Sequence, residues 1–167
     1  KKYIDVALKE SGWVIGRNVT EEEPVTGMPN ATGTGYADYV LWGKDNLPLA
    51  VIEAKKASVD TMVGSQQAKL YADCLQNQYD RRPLIFITNG FEFYYINDFM
   101  GYPRREVSGF FTQEELQLEI DGRKQRIPLE HIQISDAITN RPYQKEAVTA
   151  VCDAIMNKHR KMLIVQA

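Results

Sequence analysis

Cysteine and histidine are nearly missing from this chain, with two of each in 167 residues. Cys74 and Cys152 form no zinc or redox spacing, and His131 and His159 are isolated. A Cys/His metal site, a thiol pair and a histidine-centred triad therefore lack the residues they need. Reduced thiols on helices are expected, as in a cytoplasmic protein. Long apolar runs are also missing: none approaches the ~18 residues of a membrane span, and Lys1-Lys2-Tyr3-Ile4-Asp5 is too polar for a signal peptide. A soluble protein with no membrane contact is the expectation. Neither charge is in surplus, since twenty basic and twenty-two acidic side chains give a net charge of −2, which does not advertise a nucleic-acid binder. Lys55-Lys56, Arg81-Arg82, Arg104-Arg105 and Arg123-Lys124-x-Arg126 are local basic clusters, either solvated faces or points of contact with a phosphate backbone. No repeat or low-complexity tract occurs, and 44% apolar residues can bury a core.

Acids placed against apolar runs are what the chain does have. Asp38 opens Asp38-Tyr39-Val40-Leu41-Trp42, and Glu53 and Lys55 end Leu49-Ala50-Val51-Ile52-Glu53-Ala54-Lys55. Alternation along a strand sends Glu53 and Lys55 to one face and turns Ala54 away. Pairing of the two runs as antiparallel neighbours around Gly43-Lys44-Asp45-Asn46 brings Asp38 beside Glu53. Carboxylates are hard ligands suited to Mg²⁺ or Mn²⁺. The pattern reads as a metal-dependent phosphodiesterase centre: Asp38 and Glu53 hold the metal with help from the Ala54 carbonyl, and Lys55 positions water or stabilises phosphoryl charge. Strand-end charges that simply meet solvent are the plainer alternative.

Further along, Val63 to Leu75 has helical periodicity, with Gln67 and Tyr71 at i and i+4 on one side, able to bind a phosphate oxygen or orient Lys55. Leu84-Ile85-Phe86-Ile87-Thr88, then Asn89-Gly90 and an alternating run to Ile96, predict a hairpin. A first helix is expected from Lys2 to Ser11, ending at Gly12, with a short strand over Trp13 to Arg17. Thr112-Gln113-Glu114-Glu115 is a capping box opening a helix to about Ile120, and polar Asp121 to Arg126 reads as a connector. Thr32-Gly33-Thr34-Gly35 is no nucleotide loop, because no Lys-Ser/Thr follows it; Met28 to Gly35 reads as a flexible loop into the site. The sum is an α/β fold, a mixed central β-sheet flanked by helices.

Asp38, Glu53-x-Lys55 and Gln67-x-x-x-Tyr71, set within Gly35 to Leu41 and Gln66 to Asp73, resemble the nuclease domain of the restriction (R) subunit of type I restriction-modification enzymes, in the PD-(D/E)xK endonuclease superfamily. Ile4-Asp5, Gly12-Trp13 and the stretch from Arg81-Arg82-Pro83 to Phe91 extend the likeness over most of residues 1–110. The resemblance implies metal binding by Asp38 and Glu53, catalysis by Lys55 and support from Gln67 and Tyr71. Members also tend to carry an acid in the first helix ahead of Ile4-Asp5, and Lys1, Lys2 and Tyr3 supply none.

Residues 141–167 carry a second pattern. Arg141-Pro142-Tyr143-Gln144 opens an amphipathic helix to about Lys158, and Met162 to Ala167 reads as a buried strand. This resembles the entry to a superfamily 2 helicase or translocase motor, in which Arg141 and Gln144 would contact the adenine of ATP; alternatively, Pro142 merely starts a helix. No Gly-Lys-Thr loop follows. The expected organisation is an endonuclease domain at 1–120, a connector at 121–135 and the beginning of an ATP-dependent translocase at 136–167. The resemblance implies cleavage of double-stranded DNA, coupled to translocation in a complex with methylation and specificity subunits. A repair or stand-alone nuclease of the same superfamily, and a nuclease fold that docks without cutting, are the other readings.

Overall fold

The computed structural model describes residues 2–56, 64–125, 129, 132–159 and 161–165. Lys1, Val63, Arg126, Pro128, His131, Gln166 and Ala167, on which some expectations fall, lie outside them. The chain divides into two units, Lys1–Lys124 and Gln125–Ala167.

The first unit is built on a six-stranded mixed sheet in sequential order. Its strands are β1 (Val19–Thr26), β2 (Thr34–Trp42), β3 (Pro48–Ala54), β4 (Leu84–Thr88), β5 (Phe93–Ile96) and β6 (Arg105–Val107). Every pairing is antiparallel except β3 with β4. Two parallel neighbours cannot be joined by a tight turn, and the crossover between them carries α2 (Ser65–Tyr79). β3 and β4 are apolar throughout their centres and buried on both faces, as the middle of a covered sheet requires.

Alternation divides the strand side chains between two cores. Tyr39, Leu41, Ala50, Ile52, Leu84 and Phe86 pack with Ile4 and Leu8 of α1 (Lys2–Glu10) and Leu116 and Ile120 of α3 (Gln113–Gln125). Val40, Val51, Ile85 and Ile87 pack instead against Ala68, Tyr71, Ala72 and Leu75 of α2. Three layers result, with the sheet in the middle. The Trp13 indole donates to the Phe111 carbonyl at 2.8 Å and the Ser11 hydroxyl to that of Phe110 at 2.9 Å, fastening the end of α1 to the approach to α3.

β1 was not anticipated, because Val-Thr-Glu-Glu-Glu-Pro-Val-Thr shows too little apolar alternation; as an outer strand it tolerates a proline and charge, while Val19 and Val25 anchor it in the interior. β6 was also missed. Over Trp13 to Arg17 there is an isolated bridge, Ile15 to Val19, in place of a strand. Thr34 and Gly35 belong to β2, which shortens the expected loop. The turn after β4 spans Asn89 to Glu92, closed by the Asn89 carboxamide oxygen accepting from the Phe91 and Glu92 amides at 3.0 and 2.9 Å. α3 starts at its expected capping box, with Glu115 Oε2 accepting from the Thr112 amide at 2.8 Å. It runs past Ile120 to Gln125, so residues 121–125 are helical rather than a connector. Arg123 holds that extension: one guanidinium nitrogen donates to the Arg82 carbonyl at 2.5 Å, and the group lies 4.9 Å from the centre of the Phe99 ring.

In the second unit α4 (Pro142–Met156) begins with proline in its first turn, as expected. Met162 to Val165, expected to be a buried strand, form no strand, and Leu163 and Val165 are exposed. A lone strand has no partner for its backbone donors and acceptors, and among the described residues every strand belongs to the first unit. No helix among the described residues is long and apolar enough to cross a membrane.

Candidate active site

The hairpin of β2 and β3 makes the first half of the site. Its turn is closed by the Gly43 amide donating to the Leu47 carbonyl and the Asn46 amide to that of Gly43. Tyr39 pairs with Ile52 and Val40 with Val51, and one further step of this register sets Asp38 across from Glu53. Both share the face of Val40 and Val51, the side that α2 covers. Asp38 Oδ2 accepts from the Ala54 amide at 2.7 Å, which holds the aspartate on the neighbouring strand. Behind it, the fully buried Tyr39 donates its hydroxyl to Asp5 of α1 at 2.8 Å, locking β2 from the opposite face.

Glu53 is 3% exposed. One of its oxygens, Oε1, accepts from the Lys55 ammonium at 2.5 Å; the other, Oε2, is buried with no hydrogen-bond partner. Burial pushes its carboxyl above the usual range and the charge of Asp38 adds to this, against the pull of Lys55. Lys55 follows the end of β3, where its amide donates to the Thr88 carbonyl at 2.7 Å and continues the parallel pairing.

α2 supplies the second half. Lys55 Nζ also donates to Gln67 Oε1 at 3.2 Å, and Gln67 Nε2 donates to the Tyr71 hydroxyl at 2.7 Å. The i, i+4 spacing makes this relay possible, because the two side chains rise from one side of the helix. Accepting from the amide fixes which end of Gln67 faces the ammonium. Tyr71 is itself buried, and burial with the nearby carboxylates raises its hydroxyl above the ordinary value.

Asp38, Glu53, Lys55, Gln67 and Tyr71 are thus brought together. Arg141 and Gln144 are in the second unit: Arg141 precedes the first turn of α4 and donates to the Tyr143 hydroxyl at 3.0 Å, and Gln144 is half-buried in that turn. Two contributors escaped the sequence reading. Ile87 of β4 pairs with Glu53 and lies at the floor of the site. Gly64, at the start of α2, lies so close to Lys55 that a Cβ there would collide with it, and would press tightly on Glu53. A glycine ahead of a helix ordinarily signals only a chain turn, so its packing role had no sequence signature.

The donors fit a hard divalent cation. A buried carboxyl oxygen without a partner is disfavoured unless a cation or a proton meets it, and Glu53 Oε2 is such an atom beside a second carboxylate. Among the described residues no group of three or more histidine, cysteine or acidic side chains comes together as a metal cluster. A two-carboxylate set suits Mg²⁺, which retains several waters and takes few protein ligands.

The chain is also similar to known proteins. A fragment structure assigned to an HsdR subunit of a type I restriction enzyme from Vibrio vulnificus YJ016 shares 26% identity with it at a TM-score of 0.60. That match covers 93% of this chain and 31% of the solved one, so the chain spans about a third of its relative's length. No curated protein matches it. Residues 18–104, more than half of the sequence and including all five clustered side chains, match the family described as the type I restriction enzyme R protein N terminus. With its sheet order, its paired acids and this match in agreement, the chain belongs to the family of type I restriction enzyme R protein N-terminal regions.

Proposed function

We propose that this domain is the metal-dependent endonuclease of a type I restriction enzyme, hydrolysing phosphodiester bonds in double-stranded DNA. One observation carries the reading: the Lys55 ammonium is clasped by Glu53 and Gln67 while the second Glu53 oxygen stays buried and unpartnered. Asp38 and Glu53 would hold Mg²⁺, or Mn²⁺ in its place, with the Ala54 carbonyl as a further oxygen. When bound, such an ion supplies Lewis acidity toward the phosphate and makes water a better nucleophile.

The protein groups then have separable tasks. Water attacks phosphorus as the bond to the leaving oxygen breaks, and negative charge gathers on the phosphoryl oxygens. Lys55 offers rotatable N–H donors to that charge or to the attacking water. Gln67 keeps the ammonium in place by accepting one of its protons, and Tyr71 keeps Gln67 from turning its amide nitrogen toward a cation. Among the described residues no acceptor takes the Tyr71 hydroxyl proton, which could be given to a phosphate oxygen.

In the longer protein the domain would be coupled to an ATP-driven translocase beginning at residues 136–167, with Arg141 and Gln144 as adenine contacts. The endonuclease domain of residues 1–120 then extends through the end of α3, leaving a shorter connector before residue 136. Methylation and specificity subunits would provide recognition, and cleavage would follow translocation away from the recognised sequence. The test is to incubate the assembled complex with DNA, ATP and Mg²⁺. Lys55→Ala is expected to cut at least ~10²-fold more slowly, as for loss of one transition-state donor. Undiminished cutting by that variant, or parental cutting that persists in a chelator, overturns the proposal.

A further inference from the structure

Gly64 has φ −79° and ψ −12°, helical values that any residue adopts. Its missing side chain is therefore not explained by the backbone. Space explains it. A Cβ at this position would lie 2.6 Å from Lys55 Cε, 3.2 Å from Glu53 Cγ and 3.3 Å from Ile87 Cγ2. The first distance is far inside carbon–carbon contact.

A lysine stem can usually swing aside at little cost. Here its end is tethered by Glu53 Oε1 at 2.5 Å and Gln67 Oε1 at 3.2 Å, so a swing breaks one or both bonds. The other two neighbours have little room, because Glu53 and Ile87 are paired across adjoining central strands and both are buried. The lysine is therefore the neighbour that has to move furthest.

We infer that Gly64 is a positioning residue: the bare backbone at the start of α2 forms a wall that presses the Lys55 stem into the one path leading its ammonium to Glu53 and Gln67. The catalytic consequence rests on the nuclease reading above. The steric consequence does not.

Two measurements separate them. In the purified full-length chain, Gly64→Ala is expected to raise the reactivity of Lys55 toward an amine-acylating reagent several-fold, read by peptide mass spectrometry. The same substitution is expected to lower the melting temperature of the parent by more than that of a Lys55→Ala background, where the nearest obstructing carbon is gone. Equal losses in the two backgrounds, or unaltered labelling, overturn the inference. Should Gly64→Ala fail to fold, recovery of folding in the double variant supports the inference and continued failure sinks it. In the assembled complex, kcat for DNA cleavage is expected to fall by roughly 10²-fold with KM for DNA held, the pattern of a misplaced catalytic group. Parental kcat in Gly64→Ala ends the positioning role. If Lys55→Ala also cleaves like the parent, it is the nuclease reading that has failed, and labelling with the stability comparison still decides what Gly64 does.

Discussion

Glu53 is held in a setting that disfavours its own charge. Its carboxyl titrates above the ordinary range, chiefly through burial, so the native state binds its proton more tightly than the unfolded chain does. The stability this provides is complete below the ordinary carboxylate pKa and disappears as pH rises through the folded value. In chelator at neutral pH, Glu53→Gln should therefore unfold at higher urea than the parent, with the gap closing toward pH 4. Urea titrations across that range check it, and a parent that is the more stable at neutral pH would contradict it. The acids and the lysine were legible from the sequence because period-two alternation and a short turn suffice to align them. Gly64 was not, since its importance lies in what a missing atom leaves room for.

Helices and strands show where reading the chain stops working. Capping and periodicity located α2 and the beginning of α3, because both signals are local. The end of α3 depends on Arg123 reaching Arg82 and on its approach to Phe99, contacts that no window of sequence contains. β1 depends likewise on its outer position beside β2. Within α3, Gly122 has nothing within 4 Å of where a Cβ would stand. Gly122→Ala should accordingly stabilise the protein by about 0.5–1 kcal/mol through helix propensity and a less disordered unfolded state, measurable by chemical denaturation. Thr112→Ala should cost about 1 kcal/mol by removing the cap at the other end.

For the molecule as a whole, the described core residues lie between Ile4 and Ile120, within the first unit, and α4 buries none of its residues. A chain ending at Lys124 should consequently still unfold in one cooperative transition by calorimetry; a broad, non-cooperative melt would show that the core needs the remainder. Divalent metal provides a second global readout. Ligand at 100 times its Kd should add about 2.7 kcal/mol to stability, and Asp38→Ala should abolish most of that gain in a Mn²⁺ thermal titration. The mixed sheet was foreseeable from the runs themselves, whereas its sequential order and single parallel pair needed the crossover through α2 to be seen. That crossover has one more implication. Because it returns the chain to β3 immediately, every side chain of the cluster falls between Asp38 and Tyr71, a single uninterrupted stretch. The five clustered side chains thus travel as one sequence segment, resting on β4 through Ile87 beside Glu53 and the Thr88 carbonyl that holds the Lys55 amide.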